Sequence, residues 1–382
     1  MKSSFLDSIS FISSRPRKLP SLVRYAWRTK MKYFRSAGDV SDFPRTIMMR
    51  ITHRCNLNCF FCGQHGDRGL YNNSMDDIKE ELDASQWERF IKSIQYFNPY
   101  MYFTGGEPLL KGEILNVIKF ASSLNLLTHL NTNGTLLAEK ALELVRVGLD
   151  YISCSLDCTG SISKDTTGRQ KAYYDIVRGI KAIVAERRIA KGRFPIIQAF
   201  VTIHQKNQHL LFELAQLAEE LGVDVFAISF PIFTTPELEA RTRERFQKEL
   251  GVEPKYWKGF IADMTGIDCD LIENQLDRIR STKWRFAYRQ FPPATKDFKV
   301  STHFRNPEVI HGHRSCRLPW SLAVILPNGD VSTCWDHPDY IVGNILKQNF
   351  IDIWNGERYR RFRQAIRRGI FPACPRCTAL YQ

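Results

Sequence analysis

Between His53 and Cys62 the chain runs His-Arg-Cys-Asn-Leu-Asn-Cys-Phe-Phe-Cys, and no other stretch constrains the fold and chemistry as strongly. Cys55, Cys59 and Cys62 stand at the spacing C-x3-C-x2-C. Three thiolates on one short loop can hold three corners of a cubic iron–sulfur cluster. The fourth iron then lacks a protein ligand and is open to a small molecule. The competing reading is a zinc site completed by His53 or His65. Zinc loops more often pair their cysteines as C-x2-C units, so this spacing suits them poorly.

Around the loop, strand and helix patterns alternate. Thr46 to Thr52, with Ile47, Met48, Met49 and Ile51, is predicted to be a strand ending at the loop. A helix over 83–97 follows, with Trp87, Phe90, Ile91 and Ile94 on one face. Strands are predicted over 102–104, 127–132, 151–156, 196–203 and 223–230, and helices over 114–124, 136–147, 173–185 and 210–221. Six strands alternating with helices imply a parallel sheet with right-handed crossovers. The pattern alone does not separate a doubly wound sheet from a barrel.

Residues 231–310 break the alternation, with a helix over 236–250 and the aromatic run Trp284, Phe286, Tyr288 and Phe291. The segment is far too long for an ordinary connection. It is either an insertion covering the substrate end or a scaffold joining two domains. Residues 311–382 hold Cys316, Cys334, Cys374 and Cys377, spaced C-x17-C…C-x2-C. Four such cysteines can fully ligate one [4Fe–4S] cluster, and a zinc ribbon has the same ligand inventory. Between them, Ala323 to Val331 carries a strand, an Asn328-Gly329 turn and a second strand, followed by a basic helix over 358–368.

The 382 residues have a formal net charge of +14, which calls for an acidic partner: a phosphate-bearing substrate, an anionic membrane or a nucleic acid. Composition is that of a soluble globular protein, with no apolar run of membrane-spanning length and no signal peptide. Seven of the ten cysteines fall in two ligand-like groups, which argues for a reducing, cytoplasmic setting. Residues 1–45 form a basic extension. From Arg15 to Arg35 it holds eight Lys and Arg residues and no acid, interleaved with Leu19, Leu22, Val23, Trp27, Met31 and Phe34 at near-helical spacing. Such an amphipathic helix is either a packing arm or a peripheral membrane contact.

Reactive groups of parallel βα folds gather at the carboxyl ends of strands. Thr104, Gly105, Gly106 and Glu107, then Thr132 and Asn133, then Ser155 and Asp157, with Cys158 just beyond, occupy those ends. Adjacent glycines let backbone approach a ligand, and a carboxylate beside them can accept from an ammonium group.

The cysteine loop with Phe61 before its last cysteine, together with Gly105-Gly106-Glu107-Pro108, resembles the signature of the radical S-adenosylmethionine (SAM) superfamily. The resemblance implies an α/β fold with a partial (β/α)6 TIM-like barrel over 46–230. It implies a [4Fe–4S] cluster whose open iron takes the amino and carboxylate groups of SAM, and cleavage of SAM to a 5′-deoxyadenosyl radical. It makes Glu107 the acceptor for the SAM ammonium and Ser155 and Asp157 contacts for its ribose or carboxylate. Phe61, Gly105, Gly106, Thr132 and Asn133 complete the cofactor-binding set. An external electron donor such as flavodoxin or ferredoxin is implied. Cys316-Arg317-Leu318-Pro319-Trp320, the Pro-Asn-Gly-Asp turn before Cys334 and Trp354-Asn355-Gly356 resemble the SPASM, or shorter twitch, domain, which holds auxiliary clusters. Four cysteines imply a second, fully ligated [4Fe–4S] cluster in a small C-terminal domain. A closed cluster suits electron transfer, so the expected reaction is dehydrogenation of a small polar, carbohydrate-type substrate, anionic or lipid-linked. The four-cysteine arrangement resembles that of aminocyclitol dehydrogenases. Asp157 is the candidate base. Epimerisation with Cys158 as hydrogen donor, and modification of a peptide, are the alternatives. A nucleic-acid-binding role leaves the SAM motifs unexplained, and no nucleic-acid partner is expected.

Overall fold

The computed structural model describes residues 16–26, 38–66, 69–71, 80–311 and 315–381. Its strands are short and alternate in character. In β3 (Thr128–Thr132) Leu130 is fully buried, while His129 and Asn131 on the other face line a cavity. Period-two alternation of this kind gives a sheet two unlike faces. The same parity recurs in β1 (Thr46–Arg50), β2 (Tyr100–Thr104), β4 (Tyr151–Ser155) and β5 (Ile196–Thr202). Ile47, Met101, Ile152 and Ile197 enter the core, and Met48, Tyr102, Ser153 and Gln198 face the cavity.

The core face is covered by crossover helices. They are α1 (Ala84–Ile94), α2 (Ile114–Ser123), α3 (Leu137–Arg146), the one-turn α4 (Ser163–Thr167), α5 (Ala172–Ile189) and α6 (Leu211–Leu221). α1 starts where Asp83 and Gln86 cap each other's backbone N–H groups, and it buries Trp87, Phe90, Ile91 and Ile94 as its spacing predicted.

After β6 (Val225–Ser229) the alternation does not stop. Through α7 (Pro236–Leu250) and α8 (Cys269–Ser281) it reaches a seventh parallel strand, β7 (Ala287–Phe291). No alternating apolar signal marks it, because β7 is an edge strand with one buried residue, Gln290. Part of the 231–310 segment is therefore barrel wall. Strands β1 to β7 lie side by side in chain order, all parallel. The order never reverses, so right-handed crossovers all fall on one face and the sheet is singly wound, unlike a doubly wound fold.

Beyond the short α9 (Val300–Arg305) the C-terminal segment joins the same sheet. β8 (Leu322–Ile325) pairs in parallel with β1, and β9 (Asp330–Ser332) and β10 (Ile341–Asn344) continue antiparallel. Gly329, at φ +86°, makes the expected turn between β8 and β9. Helices α10 (Phe350–Trp354) and α11 (Glu357–Arg368) pack behind the hairpin.

The described part of the N-terminal extension is a packed arm. Residues 16–26 are helical, Lys18 Nζ reaches Asp150 Oδ2 at 2.6 Å, and Ser21 Oγ donates to Asn98 and Asn125. The other basic residues of that stretch, Arg15 and Arg28 to Arg35, lie outside the described residues. Among the described residues no helix is long and apolar enough to cross a membrane.

The Lys18–Asp150 pair is 5% and 4% exposed, so its members exchange water for each other. Lys18→Ala removes the ammonium that faces the Asp150 carboxylate, whose oxygen still accepts from Thr128 N and Oγ1. Loss of one partner of a buried pair costs about 3 kcal/mol. The expected outcome is a lower urea midpoint with an unchanged slope. A midpoint equal to the parent's would contradict the packing-arm assignment.

Candidate active site

β1 feeds the cysteine loop through Ile51, Thr52, His53 and Arg54. The end of β2 lies hard against this segment. A Cβ on Gly105 would sit 2.3 Å from Thr52 O, and one on Gly106 2.2 Å from Arg54 O. Gly106 N donates to Thr52 O at 2.9 Å and Glu107 N to Arg54 O at 2.8 Å. The glycine pair is thus required first by the approach of two chain segments. Asn58 and Phe60 N–H groups bond the carbonyls of Thr167 and Thr166, which fixes the loop on α4.

Cys55, Cys59 and Cys62 face one cavity of about 940 Å³. Burial, then the neighbouring thiol Cys62 and Asp157, raises the Cys59 thiol well above its ordinary value, and burial pushes Cys55 up to about 11. Three mutually close thiols of this kind become thiolates against a strongly cationic centre. Among the described residues, no three His, Cys, Asp or Glu side chains converge as ligands of a single metal ion. His53 stacks on Tyr71 at 3.9 Å, and burial, then the charge of Arg50, lowers His53 to about 3 and His65 to about 4. The donor set suits a cluster that spreads its ligands over several irons, and not a zinc ion completed by either histidine.

Phe61, Gly105, Gly106, Asn133, Ser155, Asp157 and Cys158 line the same cavity. The Phe61 ring stacks on His204 at 4.8 Å, and His204 Nε2 meets the Asp157 carbonyl at 3.1 Å. Asn133 Nδ2 lies 3.9 Å from Cys55 Sγ. Asp157 accepts from Thr202 N at 2.6 Å, and burial pushes its carboxyl up to about 7. Burial likewise raises Cys158 to about 12, which keeps it a thiol.

Glu107 and Thr132 are hydrogen-bonded to each other at the ends of β2 and β3. The Glu107 side chain is fully buried and accepts from Leu109 N at 2.9 Å, Thr132 Oγ1 at 2.8 Å and Asn133 N at 2.7 Å. It clamps the end of β2 to the end of β3 and is not among the groups lining the cavity.

The second cysteine group also converges. Cys316, Cys334, Cys374 and Cys377 line one closed space with Trp257, His337 and Phe362. Trp335 carries this space to the cavity. Its indole N–H lies 2.8 Å from Asp336 Oδ2 and 3.4 Å from Cys377 Sγ, and the residue itself lines the cavity. Arg50, 3% exposed, donates to the Trp335 carbonyl and to the hydroxyls of Tyr256 and Tyr71. Sequence reading passed over Arg50 and Trp335. The available signal was an arginine in a strand otherwise made of apolar residues, ending at the cysteine loop.

Two substitutions test these placements. Glu107→Gln sets an amide NH2 among groups that all donate, so a buried donor goes unpaired. The fold should lose about 1–3 kcal/mol, read from urea unfolding. Cys374→Ala with Cys377→Ala should lower bound iron after anaerobic reconstitution from about eight to about four per chain. Zinc in place of the lost iron would overturn the assignment.

Family comparisons agree with this geometry. The family model of the radical SAM superfamily matches residues 49–197, and that of the iron–sulfur cluster-binding SPASM domain matches 316–378. The pre-heme d1 synthase of Dinoroseobacter shibae is 28% identical over 327 residues, covering 81% of this chain and 73% of that protein. The PqqA peptide cyclase of Gluconobacter oxydans is 29% identical over 181 residues, 47% of this chain and 47% of that protein. The crystal structure of Streptococcus suis SuiB bound to S-adenosylmethionine superposes with a TM-score of 0.59 at 16% identity, over 86% of this chain and 68% of that one. The chain is an enzyme of the radical SAM superfamily, with a core that binds a [4Fe–4S] cluster and SAM and a C-terminal SPASM domain for further iron–sulfur ligation.

Proposed function

We propose that this enzyme oxidises a small polar substrate, of carbohydrate type, held between its two cysteine groups. The observation that carries the reading is the cavity wall. One side is the loop of Cys55, Cys59 and Cys62. The same wall includes Arg317, Trp335 and Thr378, each next in sequence to a cysteine of the second group. When bound, SAM and the two clusters supply a hydrogen-abstracting 5′-deoxyadenosyl radical and an acceptor for the electron left on the substrate.

The chain's own residues supply position and proton transfer. Cavity-facing hydroxyl, amide and phenol groups on β2 to β5 suit a polar substrate. Asp157, between the cysteine loop and those groups, can take a hydroxyl proton as the carbon is oxidised, because its raised pKa places it near neutrality. Contact with SAM is its other role. Trp335 shields the Cys377 side from the cavity. An external one-electron donor and a cytoplasmic setting complete the proposal.

The similarity to a peptide cyclase favours a second reading, modification of a peptide. The two separate by substrate. Candidate sugars and peptides, supplied with SAM and dithionite without oxygen, should differ in stimulating 5′-deoxyadenosine release. For a dehydrogenase, deuterium on the target carbon appears in 5′-deoxyadenosine, and loss of two hydrogens lightens the product by about two mass units. An unchanged product mass with solvent deuterium at an inverted carbon assigns an epimerase, with Cys158 as hydrogen donor.

A further inference from the structure

The floor of the cavity is a hydrogen-bonded ladder across four strands. Tyr151 OH donates to Gln198 Oε1 at 2.7 Å, and Gln198 Nε2 donates to Ser153 Oγ at 2.9 Å. Ser153 Oγ meets His129 Nε2 at 2.8 Å, and His129 Nδ1 meets Tyr100 OH at 2.9 Å. Counting hydrogens along it is decisive. If the imidazole proton is on Nδ1, it goes to Tyr100, Ser153 donates to Nε2, and the Tyr100 hydroxyl hydrogen has no acceptor in the ladder. If it is on Nε2, Tyr100 donates to Nδ1 and the Ser153 hydrogen is left over. In either tautomer one cavity-facing hydroxyl donates to something outside the ladder.

Cations outnumber carboxylates around the cavity. Among the described residues lining it, Asp157 is the single carboxylate, while Arg45, Arg289 and Arg317 are cations. Arg289 pairs with Ala227 through the β6–β7 ladder, but its guanidinium makes no ion pair or hydrogen bond among the described residues. Its charge, after burial, helps hold His129 down at about 3. Exposed on β7, it shares the cavity with the ladder as a cation that no carboxylate neutralises among the described residues.

We propose that Arg289 and the leftover hydroxyl of the Tyr100–His129–Ser153 ladder form a subsite for an anionic group of the substrate, a carboxylate or a phosphate. A guanidinium fork with a neutral donor beside it matches the oxygens of either group. The anion would anchor the substrate away from the carbon that reacts. The proposal rests on the cavity being the substrate site.

The test uses the anaerobically reconstituted full chain, saturated with SAM so that SAM's own carboxylate is already placed. The probes are inorganic phosphate and malonate, compared with sodium chloride at equal ionic strength. Either probe should raise the thermal midpoint, and Arg289→Gln should weaken its apparent affinity by about tenfold, as loss of a charged hydrogen bond does. Stabilisation by phosphate alone supports a phosphoryl group, and stabilisation by malonate supports a carboxylate. On the unaltered chain, the bound probe should slow phenylglyoxal modification of Arg289, a readout that needs no variant to fold. Arg289→Lys should keep part of the affinity. No shift with either probe, or an equal shift in Arg289→Gln, overturns the subsite. A tenfold fall in SAM affinity in Arg289→Gln would give the guanidinium to SAM and overturn it as well. Reductive 5′-deoxyadenosine release by the unaltered chain tests the radical chemistry separately.

Discussion

One buried cation joins the two halves of this enzyme. Arg50 ends β1, the strand that delivers the first cysteine loop, and its guanidinium lies inside the protein. A charge there must be met by acceptors, because burial of an unpaired cation is prohibitive. The acceptors come from elsewhere in the chain: the Trp335 carbonyl beside the second cysteine group, and the Tyr256 and Tyr71 hydroxyls. The Tyr256 ring also lies under the guanidinium, at 5.4 Å. Parallel pairing of β1 with β8 places the partners. Register and charge therefore demand the same arrangement, and the cavity between the cysteine groups follows from it.

Much of this was legible in the sequence, for identifiable reasons. The first six strands and their helices announced themselves because their buried faces carry apolar residues at regular spacing, as Met101 and Phe103 do in β2 and Trp87, Phe90, Ile91 and Ile94 do in α1. Both cysteine groups were legible because ligand spacing is local, or nearly so. β7 was not, since Ala-Tyr-Arg-Gln-Phe has no apolar parity and becomes a strand only through pairing with β6. The Glu107 clamp was missed for another reason. Its donors, Thr132 and Asn133, come from the next strand, and no pattern within Gly-Gly-Glu-Pro distinguishes a carboxylate turned toward a ligand from one turned inward. The arm of residues 16–26 gave an amphipathic signature that fits a lipid surface as well as a protein one. Only the burial of Lys18 against Asp150 separates them.

The cavity face also shows what period-two reading can and cannot supply. His129, Tyr151, Ser153 and Gln198 could each be placed on a common face from parity alone. That they bond one another requires the register of β3, β4 and β5, which aligns His129 with Tyr151 and Ser153 with Gln198. A polar face on a parallel strand, where helices would normally demand apolar residues on both sides, is the sequence mark of an enclosed wet interior.

The β1–β8 pairing has a consequence for how the chain comes to be folded. Thr46 and Leu322 are direct neighbours in the sheet, although almost the whole core lies between them in sequence. Until β8 has been synthesised and docked, β1 is a bare sheet edge, and Arg50 lacks the Trp335 carbonyl. A nascent chain therefore carries its first cysteine loop on an unfinished strand through most of its synthesis. The C-terminal segment behaves less as an added module than as the closing stave of the core. The strand that presents those thiols is held on both sides only once a segment far along the chain has paired with it.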